Sequence, residues 1–554
     1  MHMKKSLIAL SVVAAILTGC GGGGGGDVKI APSTNVVDSN NTTNNNTGGS
    51  NGGGSTPTNP CASYTKSSVT RQGALDGADC VYGADFVDFD NPLTVDLTLA
   101  DLPNDGAHIF RGSLFVGVNQ KGDQSGFTFK SGGQGPKLTV QAGATVALEN
   151  SSDFIAINRG SQIIAQGTAA KPITFTSRTD VEGTVAYNAV SQWGGMIING
   201  FGITNKCAYT GNLAANGSGL TLTNNTCDVT VEGTEGQTEA SYGGNNNADN
   251  SGILEYVVVK HTGAEIAPDN ELNGITFGAV GSGTTLNHIQ SYSTYDDGVE
   301  FFGGAANLSN YAALYVRDDS IDLDEGYRGT IEYALVIQDL NDGAHCVEAD
   351  GIGSWNEGRA ADMVPRNLHT QATLKNITCI ITPTLTATGA THESGAGLMI
   401  REDHAAKMEN LLVTTAFQAD PSGSQNQQNY CLRHRQQSVA SATLTSSVIA
   451  CADLYSDSSA NTTAWAATQT GNAYFAADVA GQDPTTATNN GLEILDGFYS
   501  IPANQMIVGG ANPNITPTGG ESFIGGVSAS DDWTQGWVYG LTIQNWDEPL
   551  WVTN

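Results

Sequence analysis

The chain has 554 residues, with 23 basic against 55 acidic side chains and a formal net charge of −32. That balance excludes nucleic acid as a partner and direct adhesion to anionic lipid, and it favours solubility and cation binding. Only 14% of residues are charged while glycine reaches 69, a composition suited to a turn-rich, all-β exported protein with a long core.

The N-terminus supplies an address. Lys4 and Lys5 precede an apolar run over residues 7–17 that is too short to span a bilayer as a helix. The run ends in Leu17-Thr18-Gly19-Cys20, which resembles the lipobox of a bacterial lipoprotein precursor. The resemblance implies that residues 1–19 are a signal peptide and that Cys20 becomes an acylated N-terminus. Gly21 follows Cys20 where an inner-membrane lipoprotein would typically carry Asp, so the expected address is the outer membrane, lipid-anchored and at the cell surface. Residues 20–60 are rich in Gly, Asn, Ser and Thr and hold almost nothing apolar to bury, so they read as a flexible tether.

Beyond the tether a short strand recurs. Leu254-Glu-Tyr-Val is followed by Leu286-Asn-His-Ile, Leu308-Ser-Asn-Tyr, Ile331-Glu-Tyr-Ala, Leu374-Lys-Asn-Ile, Met408-Glu-Asn-Leu and Leu444-Thr-Ser-Ser. The closest spacings, Leu286 to Leu308 to Ile331, fit one coil of a parallel β-helix, and the wider ones fit a coil carrying a loop. Lys137-Leu-Thr-Val, Phe154-Ile-Ala-Ile, Gln162-Ile-Ile-Ala and Pro172-Ile-Thr-Phe continue the idiom upstream. The expected fold is all-β: a right-handed parallel β-helix over 136–460, with an N-terminal β cap and first coils over 61–135 and a C-terminal β-rich cap over 461–554. Eight cysteines remain after Cys20, an even number that reads as disulfides in an exported chain. Spacing alone leaves their connectivity open. In a solenoid, neighbours in sequence are neighbours in space, so the expected pairs are Cys61–Cys80, Cys207–Cys227, Cys346–Cys379 and Cys431–Cys451.

Within the repeats the same acids return: Asp296-Asp-Gly-Val-Glu-Phe-Phe, Asp318-Asp-Ser-Ile-Asp-Leu-Asp, then Asn341-Asp-Gly-Ala-His-Cys-Val-Glu-Ala-Asp. Stacked coils would set Asp297, Asp319 and Asp342 in one column and Glu300, Asp322 and His345 in another, as an exposed acidic ladder along one edge. Carboxylates about 5 Å apart repel by roughly 3 kcal/mol at an effective dielectric of about 20. Three forms of relief stay open: turn hydrogen bonding at the Asp-Gly and Asp-Ser steps, a bound calcium ion, or protonated pairs of catalytic type. The expected calcium ligands are Asp296, Asp297, Glu300, Asp318, Asp319, Asp322, Asp324 and Asp342.

Longer segments are more specific. Trp193-Gly-Gly-Met-Ile-Ile-Asn-Gly, Tyr242-Gly-Gly-Asn-Asn-Asn-Ala-Asp-Asn-Ser-Gly, Pro268-Asp-Asn-Glu-Leu-Asn-Gly-Ile-Thr-Phe-Gly, Asp324-Glu-Gly-Tyr-Arg-Gly and the terminal Trp533-Thr-Gln-Gly-Trp together resemble a group of Gram-negative surface lipoproteins built on a right-handed parallel β-helix. The resemblance covers roughly residues 136 to 350 and the C-terminal end. It implies the fold and brings no activity with it.

No phosphate loop or His-Glu-x-x-His occurs, and the one Gly-x-Ser-x-Gly, starting at Gly48, lies in the tether. His261, His288, His345, His392 and His404 are scattered, as expected of surface or turn histidines. Trp193, Trp355, Trp533, Trp537 and Trp546 offer stacking faces for sugars, those near the C-terminus being expected to plug the open coil. The leading function is therefore a rigid binding or adhesion scaffold, presenting loops 205–249 and 350–366 to a glycan, a surface protein or the cargo of an outer-membrane transporter. The alternative is a calcium-dependent polysaccharide lyase or glycoside hydrolase. Arg328 and Arg401 are then its best-placed bases, although each is expected to do no more than neutralise neighbouring carboxylates.

Overall fold

The computed structural model describes residues 59–120, 133–234, 240–267, 270–339, 342–382, 395–415, 430–435, 442–451, 453–456, 462–476, 499–502, 515–528 and 530–541. The signal peptide, Cys20, the tether to residue 58, His392 and Trp546 lie outside the described residues.

The recurring motif is a single stack of core residues. Leu254, Leu286, Leu308, Ile331, Leu374, Met408 and Leu444 pair in register, rung on rung, in parallel strands, and all are buried. The residue two places later explains the rest of the motif. Tyr256, His288, Asn310, Tyr333, Asn376, Asn410 and Ser446 all have positive φ, between 52° and 60°. A left-handed residue turns the strand through a corner, and Asn and His accept that conformation more readily than most side chains. Each long strand, such as Gly252–Lys260, is thus two arms. Its first arm pairs with Gln162–Gln166 and its second with Ile173–Ser177, which are separate strands one coil earlier. At the corner Tyr256 stacks on His288 with ring centroids 4.2 Å apart, and Asn410 Nδ2 donates to Asn376 Oδ1 at 3.0 Å.

A ten-stranded parallel sheet forms the remaining side of the coils. Its rungs include Ile275–Gly278, Val299–Phe302, Ile321–Asp324, Val347–Asp350, Ala396–Arg401 and Tyr430–His434. Side chains alternate: Val299, Phe301, Ile321, Leu323, Val347 and Ala349 fill the core, which turns Glu300, Asp322, Asp324, Glu348 and Asp350 outward.

The four disulfides join Cys61–Cys80, Cys207–Cys227, Cys346–Cys379 and Cys431–Cys451. The loops over 205–249 and 350–366, expected to be presented to a partner, pack on each other. Tyr209, Leu213, Leu220 and Cys227 share a cluster with Ile352, Ala360, Met363 and Leu368, and Asn205 Nδ2 donates to the carbonyls of Gly351 and Leu368, both at 3.1 Å.

The C-terminal region departs from expectation. Strand Ala473–Ala476 adds another rung, paired with Val448–Cys451, and Trp533 and Trp537, expected to plug the open coil, lie elsewhere. The described residues of 515–528 and 530–541 lie along the flank: Thr518 bonds Asn410, Glu521 bonds Tyr333, and Tyr539 exchanges two 2.7 Å bonds with the Gln290 side chain. The cause is the second arm of each long strand, which is apolar on both faces. Val258, Tyr292, Leu314, Leu335, Ile337, Ile380 and Leu412 face outward and are covered by Ile524, Val527, Trp537 and Val538.

Candidate functional site

The outward face of the ten-stranded sheet concentrates the acids. Its first column is Asn273, Asp297, Asp319 and His345, each two residues before a strand's first core position. Each of the first three members caps the next rung. Asn273 Oδ1 accepts from the Asp297 N–H at 3.1 Å, Asp297 Oδ1 from the Asp319 N–H at 3.0 Å, and Asp319 Oδ1 from the His345 N–H at 2.7 Å. His345 Nδ1 sits on the same Asp319 oxygen at 2.7 Å. The adjoining column is Thr276, Glu300, Asp322 and Glu348 in register, continued by Met399 and Arg433.

Both expected columns are therefore corrected by one member. His345, not Asp342, follows Asp319, and Glu348, not His345, follows Asp322. Asp342 lies beside Arg317 instead, at 3.8 Å. Nor is the acidic ladder exposed. Asp297, Glu300, Asp319, His345 and Asp350 are all buried, and the rest are half-buried. The glycine of the Asp-Gly step also has a packing role: a Cβ on Gly298 would collide with the Tyr311 hydroxyl and the Ser320 carbonyl.

Of the expected calcium ligands, the structure groups Asp296, Asp297 and Asp318 in one triad and Asp297, Glu300 and Asp322 in a second. Asp319 joins His345 and Glu348 in a third, and within each triad the ligand atoms lie within 4.8 Å. Asp324 stands outside these triads, with its Oδ1 on the Glu325 N–H. Arg401 neutralises neighbours as expected: Nε meets Asp350 Oδ1 at 2.5 Å and Nη2 meets Glu348 Oε1 at 2.9 Å. Arg328 does not, since it bonds the Asn367 carbonyl and Gln371.

Burial and crowding sort the acids. Desolvation first, then the charges of neighbouring carboxylates, push Asp297, Glu300, Asp319, Asp322 and Asp324 well above the usual carboxylate range. Asp350 is pushed up to about 7 by burial and by Glu348, against the pull of Arg401. For Glu348 burial works the same way, but Asp319, His345 and Arg401 overcome it and hold the group down to about 2. The face therefore sets acids that hold their protons more tightly than usual against one, Glu348, that gives its proton up more easily.

Residues 131–538 match the model of the pectate-lyase-like beta helix domain. The chain belongs to that family. No curated protein and no solved structure matches it. In this pectate-lyase-like β-helix several aromatic and histidine candidates turn out to be structural. Trp193 is fully buried and donates to the Lys260 carbonyl at 2.7 Å. Trp355 donates to Asp403 at 2.9 Å, His261 Nδ1 meets the Ala189 carbonyl, and His404 is buried. Asn273 and Arg433 were not foreseen. Asn273 had a signal, since Asn273-Gly-Ile sits at the place of Asp297-Gly-Val one coil later.

Proposed function

We propose that this β-helix cleaves glycosidic bonds by hydrolysis, with Asp350 as general acid and Glu348 as nucleophile. The observation that carries the reading is the Arg401 fork. One guanidinium holds two carboxyl groups of the same strand face, one poised to give a proton near neutrality and one ionised. Carboxyls driven apart in acidity within one site are the working pair of a glycosidase. Asp350 gives its proton to the glycosidic oxygen as the C–O bond breaks, and Glu348 forms a bond to the anomeric carbon. Water, deprotonated by Asp350, then releases the sugar.

Hydrolysis is favoured over β-elimination because a lyase needs a free base, and Arg401 is tied into two ion pairs that raise its affinity for its proton further. The full chain, carrying Cys20→Ser for solubility, is to be assayed for new reducing ends on neutral and acidic polysaccharides. Asp350→Asn and Glu348→Gln are expected to lower the rate by about 10²–10⁴. Inactivity of the parent chain on every polymer, or full activity of both variants, refutes the reading. The same Cys20→Ser change tests the address proposed for the chain, a lipid-anchored protein of the outer membrane. It is expected to move the protein out of the membrane fraction, and retention at the parental level refutes the anchor.

A further inference from the structure

We infer that two copies of this chain pair through an exposed strand edge at the N-terminal end of the solenoid, a contact independent of the hydrolysis proposed above. That end is built rung on rung: Ile173–Ser177 on Thr145–Leu148, then Ala107–Phe110, then Asp79–Tyr82. Next to the last of these lies Ala74–Asp76, antiparallel to Asp79–Tyr82, paired with no other strand among the described residues and exposed at all three positions. A two-residue turn, Gly77-Ala78, closes this hairpin, with Gly77 at φ 65°. Such a turn sits on a hydrogen-bonded pair, here Asp76 and Asp79, so alternation points the N–H and C=O of Leu75 away from Asp79–Tyr82. Unpaired backbone of this kind is a template for another strand.

Apolar surface and charge together favour a second copy as the occupant. Among the described residues four large apolar side chains are exposed, and two of them, Val69 and Leu75, stand on this hairpin and the strand that leads into it. A strand that adds antiparallel to its own copy lies on a twofold axis. Centred on Leu75, that axis sets the leucine against its counterpart, so each covers the other. Residues 59–84 carry Lys66 and Arg71 against Asp76 and Asp79, and are thus neutral in a chain of net charge −32. Two like chains can meet there without the repulsion carried by the rest of their surface, which salt screens beyond about 8 Å. Arg71 and Asp76 also lack a charged partner of their own. Arg71 spends Nε on the Asp85 carbonyl at 2.6 Å, and neither residue forms an ion pair among the described residues. They stand on either side of Leu75, and the axis reverses the strand, which brings Arg71 of each copy to the side of Asp76 of the other. A partner of one sign would answer only one of these charges; a second copy answers both.

The test is sedimentation of the full chain at physiological salt over a range of concentrations, with Cys20→Ser so that no lipid drives association. The expected result is a closed equilibrium between monomer and dimer. Leu75→Lys should weaken it about ten-fold or more. Asp76→Arg should weaken it as well, by setting Arg against Arg71, and Asp76→Arg combined with Arg71→Glu, which swaps the two charges, should restore it. Val118→Lys removes an exposed apolar side chain outside this strand pair and should change nothing. Circular dichroism of each variant, expected to match the parent, separates a lost contact from a damaged fold. Four results overturn the inference: a parent that stays monomeric throughout, association that Leu75→Lys leaves intact, a folded charge-swap variant that stays weak, or assembly that grows without limit, the mark of an open head-to-tail contact.

Discussion

Raising the pH from 4.5 to 7.5 in the presence of chelator should destabilise this protein, the reverse of the usual behaviour of a carboxylate-rich chain. The sign follows from Asp350. Its carboxyl holds a proton up to about pH 7 in the folded state but only to 3.8, its ordinary value, when unfolded. Between those values the native state binds the extra proton, so stability falls by about 1.4 kcal/mol for each pH unit. From pH 4.5 to the folded-state value, about 2.5 units, the loss comes to about 3 kcal/mol from this group alone, and its side chain is only 11% exposed, so solvent screening removes little. Asp297, Glu300, Asp319, Asp322 and Asp324 are shifted the same way and add to the fall. Glu348 acts oppositely. Held down to about 2 against an ordinary 4.5, it contributes stability above pH 4.5 that is lost as pH drops through 2. The two trends place maximal stability near pH 4–5. Urea unfolding at pH 4.5, 6 and 7.5 reads it directly, and Asp350→Asn should flatten the slope by one proton's share. A stability that stays level or rises over that range would refute the assignment of buried, protonated acids to this face.

Other expectations concern the frame. Asn376→Val should cost about 2–3 kcal/mol, from a β-branched residue at φ 52° and the lost bond from Asn410, while Asn376→Gly should cost less; urea midpoints compare the two. Trp193→Ala, which empties a fully buried site and strands the Lys260 carbonyl, should cost about 3–5 kcal/mol in the same assay. Replacing both Cys346 and Cys379 by Ala opens a loop of 33 residues and should lower stability by about 3–4 kcal/mol, measured against the parent under non-reducing conditions.

The frame was legible because its signal is local and repeated. A leucine or isoleucine every coil, followed two places later by Asn, His or Tyr, records both a core stack and a left-handed corner, and the second is visible only once φ is known at Tyr256, His288 and Asn376. The outer cover was not legible. Second arms such as Ala334-Leu335-Val336-Ile337 read as buried strands, but nothing in them says that the covering apolar face comes from Ile524 and Trp537, far along the chain.

The acidic face shows where motif matching fails and why. Aligning the Asp-Gly pairs sets Asp342 beneath Asp319. The coils are instead registered by what fills the core, and Val347 must sit under Ile321 as Ile321 sits under Val299. That register delivers His345 to the column and slides Asp342 out toward Arg317. The same displacement brings Glu348 and Asp350 onto the face where Glu300 and Asp322 already stand, and Arg401 follows one rung later to meet them. A residue's chemical role on a solenoid is therefore set by its distance from the nearest core position and not by the acids around it in sequence. For this face, that rule converts a run of like charges into a column of backbone caps and a forked acid–carboxylate pair on successive rungs.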